Sequence, residues 1–294
     1  MKVIVYARKL NDSVLKYLNI LIKSLEEVQA TILLSKEIYH QLSIGDNLFK
    51  SVQLLSDKEA ITRDNFDFFI TLGGDGTILG ALSYVRGSGI PIMGINVGRL
   101  GFLASIEKKK IEDAVKALKD GQIAKEARSL LTISSNFPLF EDLPLALNDI
   151  TVSKRDTSSM VTIHTYINGA YLNSYWGDGL IISTPTGSTG YSLSCGGPIV
   201  FPGSGNFVIT PIAPHNLNIR PIVVSDQSEI TLEIEGRTEN FLCTLDARFE
   251  PITTTHQIKI KKYHHPLFLV RMKDASFPKT IRSKLAWGVD KRNK

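Results

Sequence analysis

The hydrophobic pattern of this 294-residue chain changes character near residue 128, and that change most limits what the chain can fold into. Before it, short apolar runs alternate with segments of helical spacing. Residues 3–7 form a continuous apolar run, typical of a strand buried on both faces, and the apolar residues between 14 and 28 recur every three or four positions. This alternation predicts a parallel sheet with helices packed on it.

After residue 128 the helical spacing disappears, and strand-like runs follow one another. Turn signals such as Asn168-Gly169 separate several of them. The predicted strands cover residues 130–134, 149–153, 160–167, 180–183, 207–210, 229–234, 241–245 and 257–261. The pattern indicates an antiparallel all-β region, arranged as a sandwich or something close to it.

The expected fold class is therefore α/β plus all-β. An N-terminal Rossmann-like α/β domain precedes a C-terminal antiparallel β-sandwich-like domain. A strand at 267–271 and a helix at 281–287 would return the chain end to the N-terminal domain. The expected domains are residues 1–127 with 267–294, and residues 128–266, in keeping with a length that favours about two domains.

Composition excludes several protein classes. The apolar fraction of 43% and the charged fraction of 21% are ordinary for a globular protein. The net charge of +5 is too small and too dispersed to indicate a nucleic-acid partner, and it suits an anionic small molecule. The apolar run at 3–7 is too short for a signal peptide, and no stretch approaches the ~20 apolar residues of a membrane span. We expect no membrane partner and a cytoplasmic location.

The first motif with chemical meaning is the segment 73–77, which reads GGDGT, between a predicted strand at 66–72 and a predicted helix at 78–86. Open α/β sheets bind ligands at this position, and glycines let backbone N–H groups approach phosphate. Asp75 repels phosphate, but it can accept a proton from an attacking hydroxyl or hold Mg²⁺. A tight turn with a capping aspartate is the structural alternative.

The densest polar stretch is residues 176–198, which hold six of the 22 glycines and a run of hydroxyl side chains. A strand at 180–183 leads into a loop of small donors and a short helix at 191–195. Such a loop can wrap a polar ligand, and a flexible linker is disfavoured because apolar residues flank it. Asn148-Asp149, at the start of a predicted strand, resembles a turn when taken alone.

These segments together resemble the ATP-NAD kinase family. Two further segments carry the likeness: residues 94–103, which read GINVGRLGFL, and residues 210–215, which read TPIAPH. The ending at 277–288 is similar to that family's C-terminal helix. The likeness runs from about residue 66 to 290. The GGDGT motif alone also occurs in diacylglycerol kinases, sphingosine kinases and phosphofructokinases. The threonine- and serine-rich block is far more specific to the ATP-NAD kinase family.

The resemblance implies transfer of the ATP γ-phosphoryl group to the 2′-hydroxyl of the adenosine ribose of NAD, which makes NADP. It implies Asp75 as the general base, and Gly74, Gly76 and Thr77 as contacts of ATP phosphates carried with Mg²⁺. Inorganic polyphosphate is an alternative donor, and a homodimer or homotetramer is expected. Replacing Asp75 with asparagine is expected to lower kcat ~10²–10⁴-fold with little change in stability.

The resemblance also implies a set of NAD-binding residues. Asn148 and Asp149 are expected to bind ribose hydroxyls and the adenine side. The other members are Phe102 as a shield of the site, Thr186, Thr189 and Tyr191 around adenine and ribose, Asp178 and Ser194 toward the nicotinamide end, Ala213, and His215 and Asp246 at the pocket wall.

Three positions in or beside this set differ from the family's usual residues, and one of them is Ala247, which follows Asp246 where Gly is common. Asp149 stands where the family usually has Glu, and its side chain is shorter by one C–C bond, ~1.5 Å, so a looser or water-bridged ribose contact is expected. Gly190 stands where Ala is usual, and its effect should be mild.

Two further groups of side chains are interpreted as having no functional role. Lys108-Lys109-Lys110 is interpreted as the solvated start of a helix. No metal site is predicted, because His264-His265 lacks a partner at metal-ligand spacing.

Two other function classes stay open at this level. One is a lipid or small-polyol kinase that shares only the GGDGT loop, and the other is a non-catalytic dinucleotide-binding module. Asn148-Asp149 and the hydroxyl-rich block argue against the first, because a lipid kinase has no dinucleotide to hold. Asp75 argues against the second.

Overall fold

The computed structural model describes residues 1–42, 51–56, 61–98, 101–155, 159–237, 239–273 and 275–287. The chain divides into two compact units, Met1–Ala127 with Leu267–Lys294, and Arg128–Pro266. Arg99, Leu100 and Gly288 belong to the motifs quoted above and lie outside the described residues. Among the helices that the structure describes, none has the length and apolar character needed to cross a membrane.

The first unit is built on an eight-stranded sheet. Its strands are β1 (Lys2–Tyr6), β2 (Thr31–Leu34), β3 (Val52–Leu54), β4 (Phe68–Leu72), β5 (Ile92–Asn96), β6 (Ile106–Glu107), β7 (Ile123–Arg128) and β20 (Leu267–Met272). The order across the sheet is β3-β2-β1-β4-β5-β20-β7, with β6 on β5. Strands β1 to β6 pair in parallel with one another, and β20 pairs in parallel with β5, which confirms the predicted parallel sheet.

The unit also contains helices, two of which the pattern predicted near residues 14–28 and 78–86. They are α1 (Asp12–Glu27), α2 (Lys36–Tyr39), α3 (Asp75–Val85), α4 (Ile111–Lys119) and α6 (Phe277–Leu285). The Asn11 side chain accepts a hydrogen bond from Val14 N at 2.9 Å and so caps α1. The buried face of α1 joins the core formed by β1, β2, β4 and β5.

Two helix boundaries differ from the prediction. Helix α3 begins at Asp75 rather than at residue 78, because Gly74 is the extended N-cap residue. Helix α6 covers Phe277–Leu285 instead of residues 281–287. Pro278 is tolerated in the first turn, where its missing N–H costs no helical hydrogen bond, and Ala286 ends the helix in a left-handed conformation with φ of 54°.

The second unit is a sandwich of two six-stranded antiparallel sheets. Its strands are β8 (Leu131–Ser135), β9 (Leu145–Ala146), β10 (Asp149–Lys154), β11 (Val161–Ile167), β12 (Ala170–Gly177), β13 (Gly179–Ser183), β14 (Asn206–Ile212), β15 (Ile222–Ser225), β16 (Ile230–Glu235), β17 (Phe241–Leu245), β18 (Arg248–Ile252) and β19 (Gln257–Lys262). One sheet has the order β15-β14-β13-β10-β17-β18, and the other β12-β11-β16-β19-β8-β9. A single apolar core contains side chains from both sheets, which confirms the sandwich-like prediction.

A short helix, α5 (Tyr191–Ser194), interrupts the strands of the second unit. It follows a 3₁₀ turn at Gly187–Thr189. Both lie in the polar block after β13, close to the predicted short helix at 191–195.

Candidate functional site

The glycine loop follows β4 at the carboxyl end of the parallel sheet. Gly73 N–H donates to the Ile95 carbonyl at 2.9 Å, so the loop stays beside β5. A Cβ on Gly73 would lie 2.0 Å from Thr77 Oγ1, so no larger residue fits there. Around Gly74 and Gly76, no described residue beyond their neighbours in the chain and the helix backbone lies within 4 Å of where a Cβ would be. Their backbone therefore faces open space at the first turn of α3, which is a favourable place for an anion.

Asp75 is held by a second loop of the same unit. Its Oδ2 accepts a hydrogen bond from Phe102 N at 2.8 Å, and its Oδ1 accepts from Leu103 N at 3.1 Å and Ala104 N at 2.9 Å. A Cβ on Gly101 would lie 1.7 Å from Asp75 Oδ1, so the loop needs glycine there. These bonds cross between loops, and the N-cap of α3 is Gly74. The alternative reading of Asp75 as a capping residue is therefore wrong.

Arg271, on β20, holds the same loop from its carbonyl side. Its Nη2 donates to Phe102 O at 3.1 Å, its Nη1 to Leu103 O at 3.2 Å, and its Nε to Glu126 Oε2 at 2.8 Å. The guanidinium thus fixes the peptide groups whose N–H side faces Asp75. Sequence reasoning missed this residue, because an arginine inside a predicted strand carries no motif signal.

In the second unit, Asp246 organises the start of β10. Its backbone is left-handed, with φ of 53°. Its carboxylate accepts hydrogen bonds from Leu147 N at 2.9 Å, Asn148 N at 2.7 Å and Asp149 N at 3.3 Å. Asp246 N–H in turn donates to Asp149 O at 3.0 Å. The predicted wall residue therefore lies directly against the Asn148-Asp149 pair.

The polar block packs on the same segment from another side. Thr184 N–H donates to Asn148 O at 2.9 Å, and Thr184 Oγ1 donates to Leu147 O at 2.6 Å. A Cβ on Gly187 would lie 2.1 Å from Asn148 O. The loop after β13 and the start of β10 thus form one tightly fitted backbone cluster.

Two of the predicted threonines belong to this cluster. Thr186 is buried, and its Oγ1 accepts a hydrogen bond from Arg128 Nη1 at 3.2 Å. Thr189 Oγ1 donates to Thr186 O at 3.2 Å. Arg128 is itself buried, and it was missed because it stands at the expected domain boundary. The structure thus brings together Asn148, Asp149, Thr186, Thr189 and Asp246.

Tyr191 and Ser194 lie on α5 and are exposed. Partial burial raises the pKa of Tyr191, and the Cys195 thiol and the carboxylates of Asp178 and Asp149 raise that pKa further. These electrostatic effects place Asp178 and Asp149 on the side of the unit that Tyr191 faces.

Asp178, Ala213 and His215 lie near the facing ends of β12 and β14. Asp178 Oδ1 pairs with Lys154 Nζ at 2.7 Å. Ala213 has φ of 42°, a conformation uncommon for a residue with a Cβ. His215 N–H donates to Trp176 O at 2.8 Å, and the two rings lie 4.2 Å apart. The ring pair of Trp176 and His215 therefore lies close to Asp178 and Ala213.

Asp149 carries a carboxyl with a strongly raised pKa. Burial raises its pKa to about 7, the nearby Asp246 carboxylate also raises it, and a hydrogen bond from the Thr151 hydroxyl lowers it. The same carboxyl has a pKa of about 3.9 in an unfolded chain. Between these values the folded protein binds a proton that the unfolded chain does not, so stability falls as pH rises from about 4 to 7.

Replacing Asp149 with asparagine should remove this pH dependence. We expect the unfolding free energy of Asp149→Asn, relative to the parent, to rise by about 1–3 kcal/mol between pH 4.5 and pH 8. Urea unfolding at four pH values measures the difference. Asp120→Asn, a change at an exposed residue that ends α4, should follow the parent at every pH. A constant difference between Asp149→Asn and the parent would contradict the raised pKa.

Comparison with known proteins gives a consistent result for both halves of the chain. Residues 3–123 match the ATP-NAD kinase N-terminal domain, and residues 147–272 match the ATP-NAD kinase C-terminal domain. An NAD kinase of Cytophaga hutchinsonii is 50% identical over 77% of this chain and 78% of its own length. An NAD kinase of Christiangramia forsetii is 42% identical over the whole of both chains.

Solved structures show the same fold. The yeast NADH kinase complexed with NADH superposes with a TM-score of 0.86 at 21% identity, covering 99% of this chain and 88% of that one. An NAD kinase from Archaeoglobus fulgidus in complex with ATP gives a TM-score of 0.71 at 26% identity, covering 97% and 98%. With both family domains matched and full-length relatives above 40% identity, the chain belongs to the ATP-NAD kinase family.

Proposed function

We infer that this protein is an NAD kinase, which transfers the γ-phosphoryl group of ATP to the 2′-hydroxyl of the adenosine ribose of NAD and so forms NADP. The observation that carries the inference is the Asp75 carboxylate, held by three backbone N–H groups beside an open glycine loop. Full-length relatives named NAD kinase support NAD as the acceptor, and the ATP complex of the archaeal relative supports ATP as the donor.

Neither alternative function class is favoured. A lipid or polyol kinase would need the glycine loop alone, yet the family match extends over residues 147–272, which contain Asn148-Asp149 and the polar block. A non-catalytic module would have no need for a carboxylate fixed at the carboxyl end of the sheet.

Asp75 is the proposed proton acceptor for the 2′-hydroxyl. An ionised carboxylate offers about four acceptor positions, and the three N–H groups occupy three of them. Only one of these donors reaches Oδ2, so this oxygen keeps a lone pair for the hydroxyl proton. Phosphoryl transfer has a loose transition state, so correct placement of the base matters more than its basicity. The loop at 101–104 provides that placement.

Gly74, Gly76 and Thr77 are the proposed contacts of the donor phosphates. The backbone of the two glycines faces open space, and the N-terminus of the 11-residue helix α3 adds positive potential there. Mg²⁺ is proposed to arrive with ATP, where it offsets the charge of the phosphates.

The second unit supplies the proposed contacts of NAD. Asn148 and Asp149 would bind the ribose hydroxyls and the adenine side, and Asp246 would keep both in place through its hydrogen bonds to their backbone. The further proposed contacts are Thr186, Thr189 and Tyr191 for adenine and ribose, Asp178 and Ser194 for the nicotinamide end, and Ala213 and His215. In the first unit, Phe102 is the proposed shield of the reacting groups.

The proposal also covers the oligomeric state, the phosphoryl donors that the protein accepts and its cellular compartment. A homodimer or homotetramer in the cytoplasm is expected, and inorganic polyphosphate is the alternative donor. Light scattering during gel filtration measures the oligomeric state, and an assay with polyphosphate in place of ATP tests the donor.

The direct test is formation of NADP from NAD, ATP and Mg²⁺ by the purified protein. The product is detected with an NADP-specific dehydrogenase, and a parallel assay offers diacylglycerol in place of NAD. We expect turnover with NAD as the acceptor and none with diacylglycerol. NAD binding without turnover with any donor would overturn the proposal in favour of a binding module, and turnover with diacylglycerol alone would favour a lipid kinase.

A further inference from the structure

A pocket opens at the carboxyl end of β5 and β6. It is lined by Asn96, Gly98, Glu107, Lys108 and Lys109, and we call it the Lys108 pocket. Its volume of about 160 Å³ far exceeds the ~15 Å³ needed by a single water molecule, so it has room for a polyatomic group. None of these residues belongs to the site proposed above.

The buried wall of the pocket presents a hydrogen-bond donor with no protein acceptor. Asn96 is only 3% exposed. Its Oδ1 accepts a hydrogen bond from Gly98 N at 2.8 Å, which fixes the orientation of the amide. Its Nδ2 is buried and has no hydrogen-bond partner among the described residues. A buried donor left without an acceptor is costly, so this wall is suited to a ligand that brings an oxygen.

The pocket also carries an excess of positive charge. Lys108 is partly buried, and its Nζ donates to Val97 O at 3.3 Å and lies 5.4 Å from the centre of the Tyr17 ring. These contacts hold the ammonium in place, and it retains further donors. Lys109 adds a second cation, and Glu107 one opposing carboxylate, so the lining bears a net charge of about +1. The predicted helix start is confirmed by a 3₁₀ turn at Lys108–Lys110, but the Lys108 side chain is partly buried instead of fully solvated.

The pocket and the glycine loop lie at the same edge of the sheet. Asn96 follows Ile95 on β5, and the Ile95 carbonyl accepts the N–H of Gly73, the first residue of that loop. A phosphate chain that begins on the glycine loop therefore has a pocket with two cations at the same edge of the sheet, in the same unit.

We propose that the Lys108 pocket binds a phosphate group of the phosphoryl donor, one that is not transferred. The proposal rests on the proposed function, because it assigns the pocket to the donor of that reaction. Asn96 Nδ2 and the two ammonium groups bind the phosphate oxygens, and Glu107 limits the charge that the pocket accepts. A donor with a longer phosphate chain gains most from this pocket.

Binding of inorganic triphosphate to the purified protein tests the pocket without any turnover. Isothermal titration calorimetry compares the parent with Lys109→Met, with Lys110→Met as the matched control, because Lys110 is exposed and lies outside the lining. We expect Lys109→Met to weaken binding on the order of tenfold, and Lys110→Met to leave it within about twofold. Glu107→Gln should tighten binding, since it removes the opposing charge.

Two results would overturn the proposal that the Lys108 pocket binds a phosphate group. One is an equal loss of affinity in Lys109→Met and Lys110→Met, which indicates general charge attraction. The other is the absence of triphosphate binding by the parent.

Steady-state kinetics separate this proposal from the proposed function. In Lys109→Met the KM for ATP should rise on the order of tenfold, with a larger rise for polyphosphate, while the KM for NAD stays unchanged. A rise in the KM for NAD alone would assign the pocket to the dinucleotide and contradict the proposal. If the parent forms no NADP but binds triphosphate through Lys109, the proposed function fails and the phosphate pocket stands.

Discussion

Replacing Asp75 with asparagine should lower kcat by ~10²–10⁴-fold while the KM for NAD changes little, because the amide cannot accept the proton of the 2′-hydroxyl. The substitution also changes the hydrogen bonding of the loop at 101–104. The asparagine oxygen can keep the N–H groups of Leu103 and Ala104, but its NH₂ group would then face Phe102 N–H, donor against donor. We therefore expect a stability loss of about 1–3 kcal/mol, in place of the little change in stability expected from the sequence alone.

The loop effect and the base effect can be separated by a second variant. Arg271→Lys keeps the carboxylate but loses the paired hydrogen bonds to the carbonyls of Phe102 and Leu103, since one ammonium group cannot reproduce the guanidinium fork. We expect its kcat to fall far less than that of Asp75→Asn at a similar melting temperature. Equal losses of kcat in the two variants, or a kcat of Asp75→Asn within threefold of the parent, would exclude Asp75 as the base.

Much of the fold could be predicted, because deep burial leaves a simple pattern in the sequence. Strand β4 is buried along its whole length and is apolar except for Thr71, as a strand covered on both faces should be. Edge strands lack that pattern. Strand β12 exposes both Tyr171 and Trp176, and β18 contains Pro251 among charged residues. Both lie at the edge of a sheet, where pairing with a single neighbour specifies the strand more than side-chain burial does.

The candidate site could be predicted only where function needs an unusual local sequence. The glycine loop and the polar block show such sequences, so the sequence singled out Asp75 and Thr186 as candidates. Arg271 and Arg128 act through long-range hydrogen bonds, to a loop 168 residues away and to a threonine 58 residues away. Sequence spacing carries no information about contacts of this kind, because they depend on how the strands are arranged in the sheets.

The close fit of the polar block against Asn148 leads to a second large expected effect. In Gly187→Ala the new methyl group would lie 2.1 Å from Asn148 O and 2.5 Å from Asn148 C, both of them backbone atoms. Because the backbone at Asn148 is also held by Asp246 and Thr184, it cannot move aside without breaking their hydrogen bonds. We expect a stability loss of about 2–4 kcal/mol and a weakening of NAD binding on the order of 100-fold or more.

Gly190→Ala in the same loop is the matched control for Gly187→Ala. A Cβ on Gly190 would lie 3.2 Å from Gly187 O, a distance that a shift of a few tenths of an ångström relieves. Thermal melts and NAD titrations of both variants should therefore show a large effect at 187 and nearly none at 190. If Gly187→Ala weakens NAD binding only in proportion to its loss of folded protein, the cluster is a structural element alone. If the folded fraction binds NAD more weakly than the parent does, Asn148 and the polar block act on the dinucleotide directly.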